Sequence, residues 1–412
     1  MVSLSDIQAA GLRIEAHIIR TPLVYSPVLS LRTGARIYLK LETLQRAGSF
    51  KVRGASNKVL LHLDACRAHG VIAASAGNHA QGVAVAAQGA GVKATIVMPV
   101  WASIAKQEAT RAYGAEVILS GQTLEEAVAD AHARSRDGRL FIHPYDDAEV
   151  IAGQGTVALE ILRELPETDI IVVPVGGGGL IAGIATAARA IEPGITIIGA
   201  QAAACPSAVT ALHAGGVVPI TAEKTIADGI RVAQTGALAY PIIRDEVAQI
   251  VTATEEEIGD AILLLLERKH VIAEGAGAVP LAALMNGSCM FAPGSTIVLV
   301  ISGGNVDSAL LFRIIRQSMV RQGRIWRFSV IIEDQPGALA RLLAVTSGQG
   351  GNILHIDHEE GASGVPVQMI RVSLELETRG WEHLSTIREA LVAAGYPVPE
   401  KKGQPYSQPM VL

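Results

Sequence analysis

The chain has 412 residues, of which 50% are hydrophobic, 18% charged and only 4% aromatic, and its formal net charge is −5. This composition excludes a mainly disordered chain, and the length exceeds what one hydrophobic core usually organises, so we expect at least two domains. Because no cluster of basic residues is interleaved with aromatic residues, the sequence also argues against a nucleic-acid-binding protein.

The N-terminal stretch MVSLSDIQAAGLRIEAHI has no basic segment followed by an apolar one, so we do not interpret it as a signal peptide. The three cysteines, Cys66, Cys205 and Cys289, are odd in number and far apart in the sequence. This spacing suits neither a disulfide framework nor a zinc site. We therefore expect buried free thiols in a reducing compartment, and we predict a cytoplasmic protein.

Short apolar runs alternate with alanine-rich helical stretches over most of the chain. The runs that we interpret as buried strands are ATIVMPV (94–100), AEVILSG (115–121), DIIVVPV (169–175), ITIIGAQ (195–201) and TIVLVISGG (296–304). Such alternation predicts an α/β fold with a doubly wound, mostly parallel sheet. Ligands of these sheets bind beyond the carboxyl ends of the strands, so the loops that directly follow the strands are candidate binding sites.

One uncharged segment, residues 170–188, is long enough to cross a bilayer. However, Pro174 and the four consecutive glycines at 176–179 divide it into a β-branched half and an alanine-rich half. We therefore predict a buried strand, a tight loop and a buried helix that starts at Leu180, and no membrane span.

The same four glycines are the strongest candidate for an anion site. Backbone N–H groups without neighbouring Cβ atoms can surround a phosphate, and the following helix N-terminus adds its dipole. A tight structural turn is the alternative. Gly177, Gly179 and Ala182 also satisfy the dinucleotide pattern G-x-G-x-x-A, but that site needs an acidic residue after the next strand, which ends in Gln201. A mononucleotide or a phosphorylated cofactor is therefore preferred.

The stretch GSFKVRGA places Lys51 between Phe50 and Val52. Such an apolar setting either forces the ammonium group outward or lowers its pKa. A reactive lysine combined with a phosphate site suggests pyridoxal phosphate, whose aldehyde forms a Schiff base with a lysine amine.

From about Arg324 the pattern changes to half-exposed strands. In RIWRFSVIIED and VQMIRVSLELET apolar residues alternate with polar ones, and a helical stretch follows each, the first from about Pro336. Two helices on one face of a small antiparallel sheet predict a separate α+β domain over 325–402, with the boundary near 317–324.

Seven motifs in order resemble the threonine dehydratase (threonine ammonia-lyase) branch of the fold-type-II pyridoxal-phosphate enzymes. They are LQRAGSFKVRGA (44–55), SAGNHAQGVA (75–84), HPYDD with IAGQGT (143–156), VPVGGGGLIAG (173–183), TIADGI (225–230), EGAGA (274–278) and SGGN (302–305). The resemblance implies a tryptophan synthase β-like fold, a catalytic domain over 1–320 and a smaller mobile subdomain at about 52–150.

The resemblance also implies roles for individual residues. Lys51 would form the Schiff base with pyridoxal 5′-phosphate and then act as acid and base at Cα and at the leaving hydroxyl. Asn78 would bind the 3′ oxygen of the cofactor, and Ser302 would face its pyridine nitrogen. The cofactor phosphate would be bound by Gly176, Gly177, Gly178 and Gly179, and the substrate carboxylate by Ser75, Ala76, Gly77, Asn78 and His79. His79 and His143 also suit ordinary hydrogen-bonded structural roles.

A serine at position 302 has a chemical consequence. A hydroxyl cannot hold a proton on the pyridine nitrogen as a carboxylate would, so a carbanion at Cα is less stabilised and loss of a β-substituent is favoured. We therefore expect β-elimination of water from L-threonine, and from L-serine as well, giving 2-oxobutanoate or pyruvate and ammonia. Ala76 lacks the hydroxyl that the resemblance gives to serine racemases at this position, so racemisation should be poor.

Other functions stay open. Serine racemase or hydroxyaspartate dehydratase would use the same cofactor on the same scaffold, and a catalytically silent amino-acid sensor would share the fold. Intact Lys51, Asn78 and Ser302 argue against the sensor. No metal ion is expected, because the stretch QAAACPS, where related enzymes bind a cation, contains no carboxylate.

The C-terminal stretches DQPGALARLL and GQGGNILHI resemble an ACT domain, an amino-acid-sensing module with a ferredoxin-like fold. The resemblance implies an allosteric effector site at Asp334, Gln335, Pro336, Gly337 and Asn352, where a Pro-Gly turn at a helix N-terminus can bind a carboxylate, typically across a subunit interface. A purely structural or dimerising domain is the alternative. The effector, a biosynthetic or catabolic role, and the choice between homodimer and homotetramer stay open.

Overall fold

The computed structural model describes residues 2–360 and 363–398. The chain divides into two units, the first ending at Leu311 and the second beginning at Phe312. Each unit has its own sheets and its own hydrophobic core. The predicted domain end at residue 402 lies outside the described residues.

The first unit is built on two sheets. Its strands are β1 (Leu23–Tyr25), β2 (Arg36–Leu41), β3 (Val71–Ala74), β4 (Ala94–Met98), β5 (Glu116–Leu119), β6 (Leu140–Phe141), β7 (Ile170–Pro174), β8 (Thr196–Ala202), β9 (Gln249–Ala253) and β10 (Thr296–Ile301). One sheet has the order β1-β2-β10-β7-β8-β9 and the other the order β5-β4-β3-β6. Apart from β1 with β2, the neighbouring strands pair in parallel. The five predicted strands and the mostly parallel sheets are confirmed, but β5 is not buried: it lies at the edge of its sheet, where Leu119 is 43% exposed.

Helices follow most of these strands. They are α1 (Leu4–Ile14), α2 (Pro27–Thr33), α3 (Lys51–Leu61), α4 (Leu63–His69), α5 (Asn78–Ala90), α6 (Ile104–Ala112), α7 (Leu124–Ser135), α8 (Ala148–Glu164), α9 (Gly179–Ile191), α10 (Ser207–Ala214), α11 (Ala239–Glu246), α12 (Glu255–Lys269), α13 (Gly275–Met285) and α14 (Ser308–Arg321), with short 3₁₀ turns at Glu42–Leu44, Arg46–Gly48 and Asp228–Ile230. Because helices cover both faces of the six-stranded sheet, β7 and β10 are buried along their whole length. This explains their continuous apolar sequences.

The uncharged segment at 170–188 divides as predicted, into β7, the glycine loop and α9. The helix begins at Gly179, one residue before the predicted Leu180, because the left-handed Gly178 (φ 93°) is its N-cap. Among the described residues, no helix combines the length and the hydropathy that a bilayer crossing requires.

The division between the two units falls within α14, and the described part of the second unit has one small sheet and two further helices. Its elements after α14 are β11 (Ile325–Glu333), α15 (Ala338–Gly348), β12 (Asn352–Glu359), β13 (Met369–Glu377) and α16 (Trp381–Ala393). The sheet is antiparallel with the order β11-β13-β12. Helix α15 begins at Ala338 and not at the predicted Pro336, because Gly337 (φ 86°) is in the left-handed region immediately before it.

Candidate active site

Three loops that follow parallel strands meet in the first unit. Because β7 and β10 are neighbours in one sheet, the glycine loop at 175–178 and Ser302 lie at the same sheet edge. The loop 75–77 follows β3 in the other sheet, and Asn78 comes next. A side chain at Gly303 would lie 3.2 Å from Nδ2 of Asn78, so this loop reaches the same place.

The loop before Lys51 is paired with the loop that carries Ser302. Ser49 forms an antiparallel bridge with Gly303, and the backbone N–H of Phe50 donates to the carbonyl oxygen of Ser302 at 3.1 Å. Helix α3 then begins at Lys51. The structure therefore brings together the two residues to which the sequence assigned the amine and the ring-nitrogen roles.

The Lys51 amine lies in a partly buried, apolar setting. Its Nζ donates to the carbonyl oxygen of Pro144 at 2.8 Å and lies 5.1 Å from the centre of the Phe50 ring. Burial lowers the pKa of Lys51 to about 8, although the nearby carboxylate of Glu274 opposes this shift. A neutral amine is therefore accessible near physiological pH, as a base at Cα requires.

This pKa gives a testable expectation for the cofactor-free protein. Modification of Lys51 by an amine-specific reagent, followed by peptide mass spectrometry, should be half-maximal near pH 8, against 10.5 for an ordinary lysine. Because the unfolded chain binds more protons in this window, the free energy of unfolding should gain a contribution from Lys51 as the pH rises from about 8 to 10.5. A midpoint near 10.5 would contradict the buried setting.

The amide of Asn78 is held at both ends. Its Nδ2 donates to Oε1 of Glu274 at 2.6 Å, and its Oδ1 accepts from Nδ2 of Asn305 at 2.9 Å. The same Asn305 nitrogen donates to the carbonyl oxygen of Ala47 at 2.7 Å, where the backbone is left-handed (φ 61°). Since Nδ2 carries two protons, one remains for the cofactor oxygen that the resemblance assigns to Asn78.

Sequence reasoning gave Asn305 no role, although it closes the motif SGGN. Glu274, in the motif EGAGA, is buried and orients Asn78 together with Asn305. Burial and the nearby Asp228 carboxylate raise the pKa of Glu274 to about 7, against the lowering effect of its bond with Asn78. This carboxyl group is therefore close to half-protonated near neutral pH.

The close approach of Tyr145 explains two of the four glycines in the loop. A side chain at Gly177 would lie 2.3 Å from the Tyr145 ring, and one at Gly179 would lie 2.6 Å from the Tyr145 carbonyl oxygen. Gly178 is the N-cap of α9. The N–H groups of the first helical turn have no partner within the helix and are available to an anion.

Thr235 adds a further donor beside the glycine loop. It is buried, its Oγ1 has no hydrogen-bond partner among the described residues, and its Cγ2 would lie 3.6 Å from a side chain at Gly178. An unpaired buried hydroxyl next to free helix N–H groups is an arrangement that phosphate oxygens would satisfy. With the Lys51 amine and Ser302 at the same sheet edge, the residues present fit pyridoxal phosphate.

The segment HPYDD is hydrogen-bonded within itself and to the loop at 237–238. The sequence identified this segment as a motif but did not predict these hydrogen bonds. The carboxylate of Asp146 accepts from the N–H groups of Ala237 and Leu238 at 3.0 and 2.8 Å. Nδ1 of His143 accepts from the N–H groups of Tyr145 and Asp146 at 3.2 and 2.7 Å, so His143 has the predicted structural role.

The loop assigned to the substrate carboxylate is only partly exposed. Oγ of Ser75 accepts from the N–H of Gly77 at 3.1 Å, and Ala76 lies between them. The His79 ring is buried and donates to the carbonyl oxygen of Ile142 at 2.8 Å, and burial lowers its pKa to about 3. His79 is therefore neutral, and only its backbone N–H remains for substrate binding.

Gln201, the first residue of the stretch QAAACPS, is hydrogen-bonded through both its Oε1 and its Nε2. Its Oε1 accepts from the N–H groups of Ala208 and Val209, both at 3.1 Å, and its Nε2 donates to the carbonyl oxygen of Val175 at 3.1 Å. In the part of the chain that the structure describes, no group of three or more His, Cys, Asp or Glu side chains suits a metal ion.

The predicted effector residues do not meet within one chain. The loop Asp334, Gln335, Pro336, Gly337 follows the end of β11 that pairs with Met369, whereas Asn352 pairs with Glu377. These two positions are at opposite ends of β13, roughly 25 Å apart at about 3.3 Å per residue. A single copy therefore cannot form the site, and Asn352 instead donates to Oε2 of Glu377 at 2.9 Å.

Comparison with known proteins agrees with this geometry. Residues 14–303 match the family model described as pyridoxal-phosphate dependent enzyme. An L-threonine ammonia-lyase from Thermotoga maritima is 45% identical over 399 residues, covering 97% of this chain and 99% of that protein. An L-threonine ammonia-lyase from Geobacter sulfurreducens is 46% identical over 397 residues, covering 96% of this chain and 98% of that protein.

Solved structures give the same answer for the fold. The processed form of threonine deaminase isoform 2 from Solanum lycopersicum superposes with a TM-score of 0.72 at 38% identity, over 76% of this chain and 91% of that one. Maize serine racemase gives a TM-score of 0.73 at 35% identity, over 78% of this chain and 99% of that one. The chain belongs to the pyridoxal-phosphate dependent enzymes, within the family of the L-threonine ammonia-lyases.

Proposed function

We propose that this protein is a threonine ammonia-lyase, which eliminates water from L-threonine, and likewise from L-serine, and releases the amino group as ammonia. The products are 2-oxobutanoate or pyruvate and ammonia; the water that leaves in the elimination is returned when the enamine, after tautomerising, is hydrolysed. The observation that carries the proposal is the pairing of the Lys51 loop with the Ser302 loop. The names of the two relatives with near-complete coverage support the same substrate.

Several groups would hold the cofactor. The N–H groups at the start of α9 and the Thr235 hydroxyl would bind its phosphate, and the free proton on Nδ2 of Asn78 would bind its 3′ oxygen. The Ser302 hydroxyl would face the ring nitrogen. When bound, pyridoxal phosphate supplies an electron sink that acidifies the α-proton of an amino acid.

The Lys51 amine would move the protons. With a pKa of about 8, its Nζ can accept the proton from Cα and then donate it to the departing hydroxyl oxygen. The N–H groups of the loop after β3 would orient the substrate carboxylate. Ala76 supplies no second proton carrier in that loop, which supports elimination over racemisation.

The substrate is tested by measuring oxo-acid release from L-threonine, L-serine and hydroxyaspartate, with D-serine formation followed in parallel. We expect the highest kcat/KM for L-threonine and little D-serine. Fast interconversion of serine enantiomers would identify the alternative racemase, for which the similarity to maize serine racemase is the supporting observation. A preference for hydroxyaspartate would identify the other alternative.

We also propose that the second unit is an ACT-like regulatory domain that binds an amino acid between two copies. Because the loop at 334–337 and Asn352 are at opposite ends of β13, antiparallel side-by-side pairing of two such sheets would bring one copy's loop beside the other's Asn352. Binding of isoleucine, valine and serine, measured by calorimetry together with the oligomeric state, tests this. An effector that binds a strictly monomeric protein would contradict it.

A reducing, cytoplasmic location stays a proposal. It is supported by Cys66, Cys205 and Cys289, which are all buried and free. Burial raises the pKa of Cys289 to about 12, so this thiol stays protonated and unreactive.

A further inference from the structure

Helix α8 lies between the helix that begins with Lys51 and the helix that begins at the glycine loop. It contains the motif IAGQGT, which the sequence analysis noted without giving it a role. Two glycines of this motif, Gly153 and Gly155, make unusually close backbone contacts with α3 and α9.

The first contact joins α8 to α3. A side chain at Gly153 would lie 2.6 Å from Cα of Gly54 and 2.7 Å from the carbonyl oxygen of Arg53. In the other direction, a side chain at Gly54 would lie 2.7 Å from the carbonyl oxygen of Val150. The Gln154 side chain adds a hydrogen bond across this contact, its Oε1 accepting from the N–H of Gly54 at 3.2 Å. No Cβ fits on either side.

The second contact joins α8 to α9 in the same way. A side chain at Gly155 would lie 2.7 Å from the carbonyl oxygen of Gly183. One at Gly183 would lie 2.4 Å from the carbonyl oxygen of Ile151 and 2.6 Å from the nitrogen of Gly155. The carbonyl oxygen of Gly183 is a backbone atom, which cannot move aside as a flexible side chain does; Cδ1 of Ile7 on α1 would also lie 2.8 Å from a side chain at Gly155.

The two contacts are related by helix geometry. Residues two apart on an α-helix are rotated by about 200° and rise by about 3 Å, so Gly153 and Gly155 face opposite sides of α8 at nearly the same level. Gly54 lies three residues after Lys51, and Gly183 lies four residues after Gly179. Each contact is thus about one helical turn from the N-terminus that carries one end of the cofactor site.

We propose that α8 acts as a spacer that sets the distance between the Lys51 amine and the phosphate-binding loop, with Gly153 and Gly155 as positioning residues. This rests on the proposed function. Pyridoxal phosphate has its aldehyde and its phosphate at fixed separation, so it gains affinity from both ends only when the two protein groups are correctly spaced. A methyl group at position 153 or 155 moves one of these groups relative to the other. It touches neither of them directly.

The test uses the cofactor-free full-length protein and three ligands: pyridoxal phosphate, which uses both groups; pyridoxal, which uses the amine; and inorganic phosphate, which uses the loop. Affinities are measured by equilibrium dialysis. For the two aldehydes, pyridoxal phosphate and pyridoxal, the binding measured with the Lys51→Ala protein is subtracted as background, so that only binding that depends on the Lys51 amine is compared. For Gly153→Ala and Gly155→Ala we expect pyridoxal and phosphate to bind within about threefold of wild type, whereas pyridoxal phosphate weakens at least about tenfold.

Gly11→Ala is the matched control. Gly11 lies on α1, which also packs on α8, but the closest atom to a side chain there would be Cδ1 of Leu159 at 3.4 Å, an ordinary contact. All three affinities should stay unchanged in this variant, and its stability should not fall, because alanine favours a helix. If an alanine at 153 or 155 prevents folding, Gln154→Met replaces it, since it removes the hydrogen bond to Gly54 but keeps a buried side chain of similar size, and it should show the same selective loss on a smaller scale.

Three results would overturn the proposal: an unchanged pyridoxal phosphate affinity in the folded variants, an equal loss for all three ligands, or the same selective loss in Gly11→Ala. Failure of the wild-type protein to bind pyridoxal phosphate would instead contradict the proposed function. Urea unfolding of each cofactor-free variant separates a general loss of stability from the selective loss of two-ended binding.

Discussion

Replacement of Lys51 by alanine is expected to lower the lyase activity by at least about 100-fold, because general acid–base catalysis by such a group contributes about 10²–10⁴-fold. The variant loses the amine that would take the proton from Cα, and it also loses the nitrogen to which the cofactor would be attached. Treatment with borohydride should attach the cofactor covalently to the peptide that contains Lys51 in the wild type. The corresponding peptide of the variant, which contains Ala at position 51, should stay unlabelled.

The cofactor-free Lys51→Ala protein should be folded and no less stable than the wild type at neutral pH. The wild-type side chain makes one hydrogen bond, to the carbonyl oxygen of Pro144, but burial disfavours its charged form. Lys93→Ala is the control, because Lys93 is an exposed lysine just before β4, outside the residues assigned to the site. It should retain activity; a yellow, active Lys51→Ala enzyme would remove Lys51 from the mechanism.

The sheets and most of the site could be predicted because burial leaves a simple pattern in the sequence. Strands such as β7 and β10, covered on both faces, are continuous apolar runs, and the residues directly after them are the ones that meet at the sheet edge. The position directly after a buried strand identified the glycine loop and Ser302, and the motifs identified Lys51. The pairing of Ser49 with Gly303 places the Lys51 and Ser302 loops side by side.

The contacts that orient these residues could not be predicted, because they join positions far apart in the chain. Asn305 reaches Asn78 across 227 positions and Lys51 reaches Pro144 across 93, and no periodicity records such pairs. The distance between the loop at 334–337 and Asn352, the two parts of the predicted effector site, could not be predicted for a related reason. A loop and an asparagine that are close in sequence lie at opposite ends of β13, since an intervening helix carries the chain from one end to the other.

The burial and the ion pairs of Arg53 could not be predicted from the sequence. Among the variants proposed, its replacement should lower the free energy of unfolding most. Arg53 is fully buried, two residues after Lys51, and its guanidinium donates to both oxygens of Glu42 at 2.8 Å and to both oxygens of Glu160 at 2.6 and 2.9 Å. Lys40, also buried, donates to Glu160 at 2.6 Å. Two cations therefore balance two carboxylates inside the first unit.

Arg53→Met should destabilise the cofactor-free protein by about 3–5 kcal/mol, because it leaves the buried carboxylate of Glu42 without its ion-pair partner. The expected readout is a lower urea midpoint for the first unit at an unchanged slope. Arg53→Lys keeps the charge but cannot bind two carboxylates in a bidentate manner, so it should lie between wild type and Arg53→Met. Arg67→Ala, which removes an exposed arginine, should change stability by no more than about 0.5 kcal/mol.

The pH dependence distinguishes this electrostatic cause from lost packing. In the wild type, burial tends to raise the pKa of Glu42, but Arg53 and Lys40 hold it below its usual value. The Glu42 contribution to wild-type stability is therefore lost as the pH falls through that pKa. Without Arg53 the pKa of Glu42 should rise above its unfolded value, so the variant gains stability on acidification. The difference between the two proteins should shrink from about pH 8 to about pH 5, whereas a packing defect would leave it constant.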